Sequence, residues 1–225
     1  MKGLFVIGTD TGVGKTLVTA GLARLLARRG VRVGVFKPAS SGGSKSVDGL
    51  LLRRGAGLGR SWEHWVVPVT YRRPLAPWVA GWTEGGLDLG LVERARKHLG
   101  KNFDFLLVEG VGGLHVPLTE KVWVADLARK WKYPVLLVAR AGLGTINHSL
   151  LTLEALRRRK IPIAGLLLNG AKGKSPAEST NLRALRRLAG VPVYGPLRWE
   201  PASRSKLDLW ADRLDRLKIP RRFLP

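Results

Sequence analysis

The stretch Gly8-Thr9-Asp10-Thr11-Gly12-Val13-Gly14-Lys15-Thr16 decides how this chain folds. It follows a short apolar run, Leu4 to Ile7, and opens an apolar-periodic segment, Leu17 to Ala27. Strand, glycine-rich turn and helix in that order are the context of a phosphate-binding loop. Gly12 and Gly14 carry no Cβ, so backbone N–H groups of the loop can face phosphate oxygens. The helix N-terminus adds roughly half a positive charge at the same place. Lys15 can reach the outer phosphates, and the Thr16 hydroxyl is placed to ligate Mg²⁺. Five residues separate Gly8 from Gly14, one more than the standard spacing. The plain alternative is a strand–helix turn that happens to end in Lys-Thr; the pattern on both flanks argues against it.

Outward from the loop, strands and helices alternate. Apolar runs predict further strands at Val31–Phe36, Phe103–Val108, Val135–Ala139, Ile163–Leu168 and Val191–Tyr194. Helical periodicity predicts helices at Asp48–Ala56, Leu89–Leu99, Val122–Trp131, Leu150–Arg159, Glu178–Leu188 and Ser205–Leu217. Residues 57 to 87 hold four tryptophans and are broken by Pro68, Pro74 and Pro77; loops around a short helix near Ala76–Trp82 are expected there. The alternation implies an α/β fold: a doubly wound, mostly parallel sheet with helices on both faces, of the P-loop NTPase type, in a single domain over residues 1–225. Such sheets bind ligands outside the C-terminal ends of their strands. Lys37, Glu109, Arg140 and Asn169 each follow a predicted strand and are expected along one edge.

Composition narrows the class. No run of eighteen apolar residues exists, so no membrane span is expected. With no cysteine, disulfides and thiolate chemistry are excluded. The chain opens on a strand without a basic-then-apolar leader, so a cytoplasmic location is expected. The formal net charge is +23. Such an excess attracts nucleic acid or anionic surfaces non-specifically. The plainer reading, a solvated Arg-rich surface, is preferred, because basic residues such as Arg157, Arg158, Arg159 and Lys160 cluster at a helix end where they suit the dipole. The absence of Gln and the single Met fit a thermophile's avoidance of labile residues.

Four further residues or segments form a constellation with the loop. Lys37 brings a second ammonium to the phosphates, which suits transfer of the terminal phosphoryl group. Its plain alternative is a surface lysine before a proline. Glu109 ends an apolar strand, as metal-binding carboxylates do beside phosphate loops. Asp48 opens a helix, where an acid is as readily a cap as a ligand. Thr16, Asp48 and Glu109 together supply oxygen ligands for one or two Mg²⁺ ions. Gly142 to His148 place glycines, a Thr and an Asn before a helix; the segment can hold a carboxylate or be a simple cap at Thr145 or Asn147. His115 and His148 read as ordinary polar residues.

Taken together these motifs resemble the dethiobiotin synthetases. The matching stretches are the lengthened loop, KPASSG from Lys37, VDGLLL with Asp48, PLAPWVA from Pro74, VEGVGGLHVPL from Val108, GLGTINHSLLTLEAL from Gly142 and GLLLN ending at Asn169. The resemblance implies ATP- and Mg²⁺-dependent ring closure of 7,8-diaminononanoate with CO2, through a carbamate and a carbamic–phosphoric anhydride. It implies that Lys15 and Lys37 stabilise the transferring phosphoryl group, and that Thr16, Asp48 and Glu109 hold Mg²⁺. By the same resemblance Thr11, Gly12, Val13 and Gly14 cradle phosphates, while Asn169, Pro196, Leu197 and Arg198 form the base pocket. Ser41 would contact the diamine or carbamate. A homodimer is implied, with Gly144, Thr145 and Asn147 binding the substrate carboxylate across the subunit interface.

Two other readings compete. A corrinoid amide synthase of the same P-loop branch adds a glutamine-hydrolysing domain with a nucleophilic cysteine, for which this chain has neither the cysteine nor the length. A positioning ATPase of the ParA and MinD kind carries a lysine early in the loop, where this chain has Asp10.

Overall fold

The computed structural model describes residues 2–173, 175–200 and 206–225. In chain order its first elements are β1 (Lys2–Gly8), α1 (Lys15–Arg28), β2 (Val33–Phe36), β3 (Ser40–Ser41) and α2 (Val47–Gly55). A 3-10 turn (Arg60–Trp62), α3 (Glu63–Val66), β4 (Thr70–Tyr71), α4 (Pro77–Glu84) and α5 (Leu89–Asn102) follow. The second half holds β5 (Phe105–Gly113), α6 (Val124–Trp131), β6 (Val135–Arg140), α7 (Thr145–Arg158), β7 (Ile163–Ala171), α8 (Pro176–Leu188), β8 (Val193–Arg198) and α9 (Leu207–Asp215).

Six strands form one sheet in the order β2-β5-β1-β6-β7-β8, and each pairing among them is parallel. β3 and β4 make a separate two-stranded parallel pair. Alternate residues of a strand point to opposite faces, so a strand covered on both sides must be apolar throughout. Leu4 and Val6 of β1, with Phe105 and Leu107 of β5, face the core shared with α1, α2 and α9. Phe5 and Ile7 of β1, with Leu106 and Val108 of β5, face the core shared with α5, α6, α7 and α8. The doubly wound α/β architecture expected from the alternation is therefore present.

Three local expectations need correction. Residues 57 to 87 hold more structure than one helix. Trp62 packs edge-on against Phe103 with ring centroids 4.9 Å apart, and Trp65 stacks on His98 of α5 at 4.0 Å. Order in that segment comes from contacts distant in sequence, which local periodicity does not display. Secondly, α7 begins at Thr145 rather than Leu150, because Gly144 adopts φ +88 and starts the helix within the glycine-rich turn. Neither Thr145 nor Asn147 caps it by a side chain. Finally, β8 runs on to Arg198 past Pro196. It lies at one end of the sheet order, where a missing N–H is tolerated.

The helix expected at Ser205–Leu217 is present as α9; Ser205 itself lies outside the described residues. α9 lies close on α1 because Gly21 has no side chain: a Cβ there would stand 2.7 Å from Leu214 Cδ1 and 2.9 Å from Trp210 Cβ. Three ion pairs, Arg24–Asp208, Arg28–Asp212 and Arg29–Asp215, run along the same contact. They are half exposed and contribute little each. Trp210, 1% exposed, supplies the apolar anchor. Trp210→Ala should therefore lower unfolding free energy by about 3–5 kcal/mol in urea titration, whereas Asp212→Ala should change it by less than about 1 kcal/mol.

Candidate active site

The loop after β1 sits where the sheet order reverses direction around its first strand, at the C-terminal ends of the strands. Thr9 N donates to Val138 O of β6, 2.9 Å, which pins the start of the loop to the neighbouring strand. Gly12 and Gly14 both have positive φ, +75 and +91. At Gly14 a Cβ would also fall 2.1 Å from Asn169 Nδ2, so glycine is required there twice over. Asn169 Nδ2 donates to Val13 O, 2.9 Å, tying the end of β7 to the loop. Asn169 Oδ1 is buried and has no hydrogen-bond partner among the described residues.

Asp10 organises the loop's outer side. Its carboxylate accepts from Thr11 N at 2.7 Å and pairs with the Arg140 guanidinium at the end of β6. Lys15 Nζ donates to Asp10 O, 2.9 Å. The position where a positioning ATPase carries a lysine thus holds an acid with two structural partners in this chain.

Within β5, which runs on to Gly113 rather than ending at Val108 as expected, Glu109 is fully buried. Its Oε1 accepts from Thr16 Oγ1 at 2.9 Å and from Lys37 Nζ at 2.7 Å. Lys37 Nζ also donates to Asp48 Oδ2 on the first turn of α2. Glu109 Oε2 is buried with no partner among the described residues. The structure therefore joins Thr16, Lys37, Asp48 and Glu109, drawn from four parts of the chain, in one polar cluster beside Lys15. Asp48 is not the helix cap: Ser46 Oγ accepts from Gly49 N at 2.9 Å and fills that role.

Charge in the cluster is finely balanced. Burial acts most strongly on Lys37, against its charge, but Glu109 and Asp48 outweigh it and its pKa is raised. For Lys15, burial dominates and lowers the pKa to about 8; Lys37 pushes the same way, while Glu109, Asp48 and Asp10 oppose.

Two clefts meet at the loop. The first, of about 530 Å³, is lined by the loop, Lys37, Asp48 and Glu109, and by Ser40, Ser41, Val47 and Leu75. The second is lined by Gly12, Val13 and Gly14, by Asn169 at its floor, and by Lys172, Trp199 and Glu200. Lys172 Nζ stands 5.3 Å from the Trp199 ring centroid. Leu197 is buried and Arg198 points to solvent; neither they nor Pro196 line this cleft. Trp199 and Glu200 carry no sequence signal, because Pro196 makes the strand appear to end at Tyr194. Gly144 and Asn147 are exposed and lie outside both clefts, with Thr145 buried beneath them. The turn before them is clamped by Asn181, a buried residue with no sequence signal, whose Nδ2 donates to Ala141 O and Gly142 O.

A parallel sheet with this loop, its lysine and a buried carboxylate on the neighbouring strand defines a P-loop nucleotide-binding protein. Solved structures agree on the fold: MinD of Pyrococcus horikoshii with Mg-ADP is 17% identical and covers 93% of this chain and 86% of its own, with a TM-score of 0.55. Aquifex aeolicus MinD gives a TM-score of 0.52 at 15% identity, with 95% and 86% covered. A family model described as "AAA domain" matches residues 2–206. Among curated proteins, the ATP-dependent dethiobiotin synthetase BioD of Aquifex aeolicus is 41% identical over 85% of this chain and 86% of its own length. That of Anaeromyxobacter dehalogenans strain 2CP-C is 43% identical over 89% and 92%, and that of Bacillus subtilis strain 168 is 40% identical over 87% and 86%. This chain belongs to the ATP-dependent dethiobiotin synthetase family, as the resemblance of its motifs implied.

The lowered pKa of Lys15 carries a signed expectation. Below about pH 8 the side chain is an ammonium and bears the full burial penalty. Above it the amine is neutral, the penalty is relieved, and the attraction for polyphosphate is lost with it. ATP affinity should therefore fall as the pH rises through about 8. Calorimetry at about pH 8.5 in buffers of different ionisation enthalpy should show proton uptake on binding, because phosphate restores the ammonium. In Lys15→Met that proton uptake should disappear.

Proposed function

We propose that this protein closes the ureido ring of dethiobiotin from 7,8-diaminononanoate, CO2 and ATP, as a biotin-synthesis ligase. The observation that carries the proposal is the buried cluster of Lys37, Glu109, Asp48 and Thr16 set beside Lys15 in the larger cleft. Membership of the synthetase family supplies the identity of the substrates; the cluster supplies a chemical reason for phosphoryl transfer.

One amine of the diamine adds to CO2 and loses a proton, giving a carbamate. A carbamate oxygen is a poor leaving group. Attack of that oxygen on the γ-phosphorus forms a new P–O bond, breaks the bond to the β-phosphate and releases ADP. The second amine then attacks the carbonyl carbon and gives up a proton, inorganic phosphate departs with its electron pair, and the ring is closed. During transfer, charge spreads over the outer phosphoryl oxygens, and Lys15 and Lys37 are the two ammonium groups on the cleft able to stabilise it. The N–H groups of Thr11, Gly12, Val13 and Gly14 would hold the preceding phosphates. Thr11 N must then exchange its present bond to Asp10 for one to phosphate.

The donor set of Thr16, Asp48 and Glu109 fits Mg²⁺. It is all oxygen, it offers two carboxylates and a hydroxyl, and the orphaned buried Glu109 Oε2 awaits a cation or a donor. Bound there with nucleotide, Mg²⁺ would neutralise phosphate charge. Among the described residues no group of three His, Cys, Asp or Glu forms an alternative metal cluster. The second cleft suits the base: Asn169 offers a free acceptor, and Trp199 an aromatic wall. Pro196, Leu197 and Arg198 immediately precede that wall in β8, and a part for them in the base pocket belongs to the same proposal.

Ser41 is exposed at the rim of the larger cleft, where it would meet the diamine or its carbamate. A homodimer accounts for Gly144, Thr145 and Asn147, which line neither cleft but could complete a partner's site at the substrate carboxylate. Exposed Leu143 and Leu151 on the same segment support this use of the surface. No helix among the described residues is long and apolar enough to cross a membrane. A cytoplasmic location is part of the same proposal.

Incubation with the diamine, bicarbonate, Mg²⁺ and ATP should give dethiobiotin by mass spectrometry; ATP hydrolysis without that product would overturn the proposal. Lys37→Ala should lower kcat by about 10²–10³-fold while ATP binding persists. Retained turnover would remove Lys37 from the transfer step. Mixing Asn147→Ala with Lys15→Ala subunits should recover part of the lost activity, since each heterodimer holds one site with neither lesion. No recovery in verified heterodimers would rule out the shared site.

A further inference from the structure

Lys37 occupies the position that the metal reading assigns to a cation. Its ammonium donates to Asp48 Oδ2 and to Glu109 Oε1, the latter at 2.7 Å, and Glu109 Oε1 also takes the Thr16 hydroxyl at 2.9 Å. Every side chain of the proposed Mg²⁺ set is thus already joined, directly or through Glu109, to one lysine. The lysine is held from behind, because its backbone N donates to Val66 O at 2.8 Å directly after β2. Its four-carbon stem leaves the head free to swing while the backbone stays fixed. Lys15, the neighbouring ammonium, makes its hydrogen bond to the loop carbonyl of Asp10 and not to these carboxylates.

We propose that Lys37 is a built-in counter-ion that competes with the divalent cation for Asp48 and Glu109, so that the protein takes up metal only together with nucleotide. The proposal rests on the assignment of Thr16, Asp48 and Glu109 as the metal-binding set. Two carboxylates carry about two negative charges, and an ammonium in contact with both neutralises half of them. A metal arriving alone must therefore displace Lys37 into a cleft with no anion to receive it. When nucleotide is present, Lys37 exchanges the carboxylates for the terminal phosphate, and the carboxylates become free in the same movement. One residue then serves in succession as the plug of the cation site and as a clamp on the transferring group. Release of the plug is tied to arrival of the nucleotide, and metal is not held at the carboxylates in its absence.

The test uses the whole protein and Mn²⁺, followed by the loss of the free-ion electron paramagnetic resonance signal, with no diamine present. Wild type without nucleotide should bind Mn²⁺ weakly, and Lys37→Met should bind it about tenfold or more tightly. A non-hydrolysable ATP analogue should bring wild type to tight Mn²⁺ binding. Asp48→Asn added to Lys37→Met should reverse the gain. Lys37→Gln, which retains a hydrogen-bond donor without charge, guards against misfolding of the Met variant: Mn²⁺ should raise its Tm while leaving that of nucleotide-free wild type unchanged. Equal Mn²⁺ affinity of wild type and both variants without nucleotide would overturn the counter-ion role. Absence of Mn²⁺ binding in every form, even with the analogue, would overturn the metal assignment beneath it. Neither readout depends on dethiobiotin being formed, so it stands apart from the proposed reaction.

Discussion

A carboxylate with no exposed surface must find positive charge or hydrogen bonds inside the protein, and Glu109 is in that position within β5. Among the described residues its donors are Thr16 and Lys37, so burial of one side chain fixes the relation of three chain segments. Thr16 is the last residue of the loop and lies in the first turn of α1; Lys37 follows β2; Asp48, reached through Lys37, opens α2. Removing one partner of such a pair leaves the other buried and uncompensated, at a cost of about 3–5 kcal/mol. The site is therefore held together by the same requirement that makes it reactive. Its charges are close enough to be neutral when empty, and an incoming polyphosphate rearranges them.

Around that point the sheet provides rigidity without itself entering the chemistry. β1 and β5 lie side by side with both faces covered; the end of β1 delivers the loop, and the middle of β5 places Glu109 beside it, paired with Val6. The close packing of Gly14 against Asn169 brings the end of β7 to the same edge and divides the opening into two clefts. The larger gathers lysines and acids, as phosphoryl transfer needs. The other is walled by an aromatic ring and an unpaired amide oxygen, as a base needs. A nucleotide lying across the loop would extend from one into the other.

Much of this was legible in the sequence because the decisive features are local. A strand, a lengthened glycine loop and a helix announce themselves within twenty-five residues, and near-continuous apolar runs reveal a sheet buried on both faces. Lys37 and Glu109 could be singled out because each follows directly on such a run. What stayed hidden depends on contacts between distant residues. The order of residues 57–87 comes from Trp62 and Trp65 packing on Phe103 and His98. Asn181 carries no mark of its part in clamping the Ala141–Gly142 turn. Trp199 was obscured by Pro196, since the sequence does not say that β8 is an edge strand able to continue past a proline. Nor does spacing show the direct contact of Lys37 with both acids, although each of the three residues carries a sequence signal of its own.

In the proposed reaction the γ-phosphoryl group of ATP is passed to an oxygen that came from CO2. Single-turnover reaction with ¹⁸O-labelled bicarbonate, stopped before the label exchanges with water, tests it most directly. The mechanism predicts one ¹⁸O atom in each inorganic phosphate released, with another retained in the ureido carbonyl. Dethiobiotin formed alongside phosphate free of label would contradict it, because the carbamate oxygen would then never have been bonded to phosphorus.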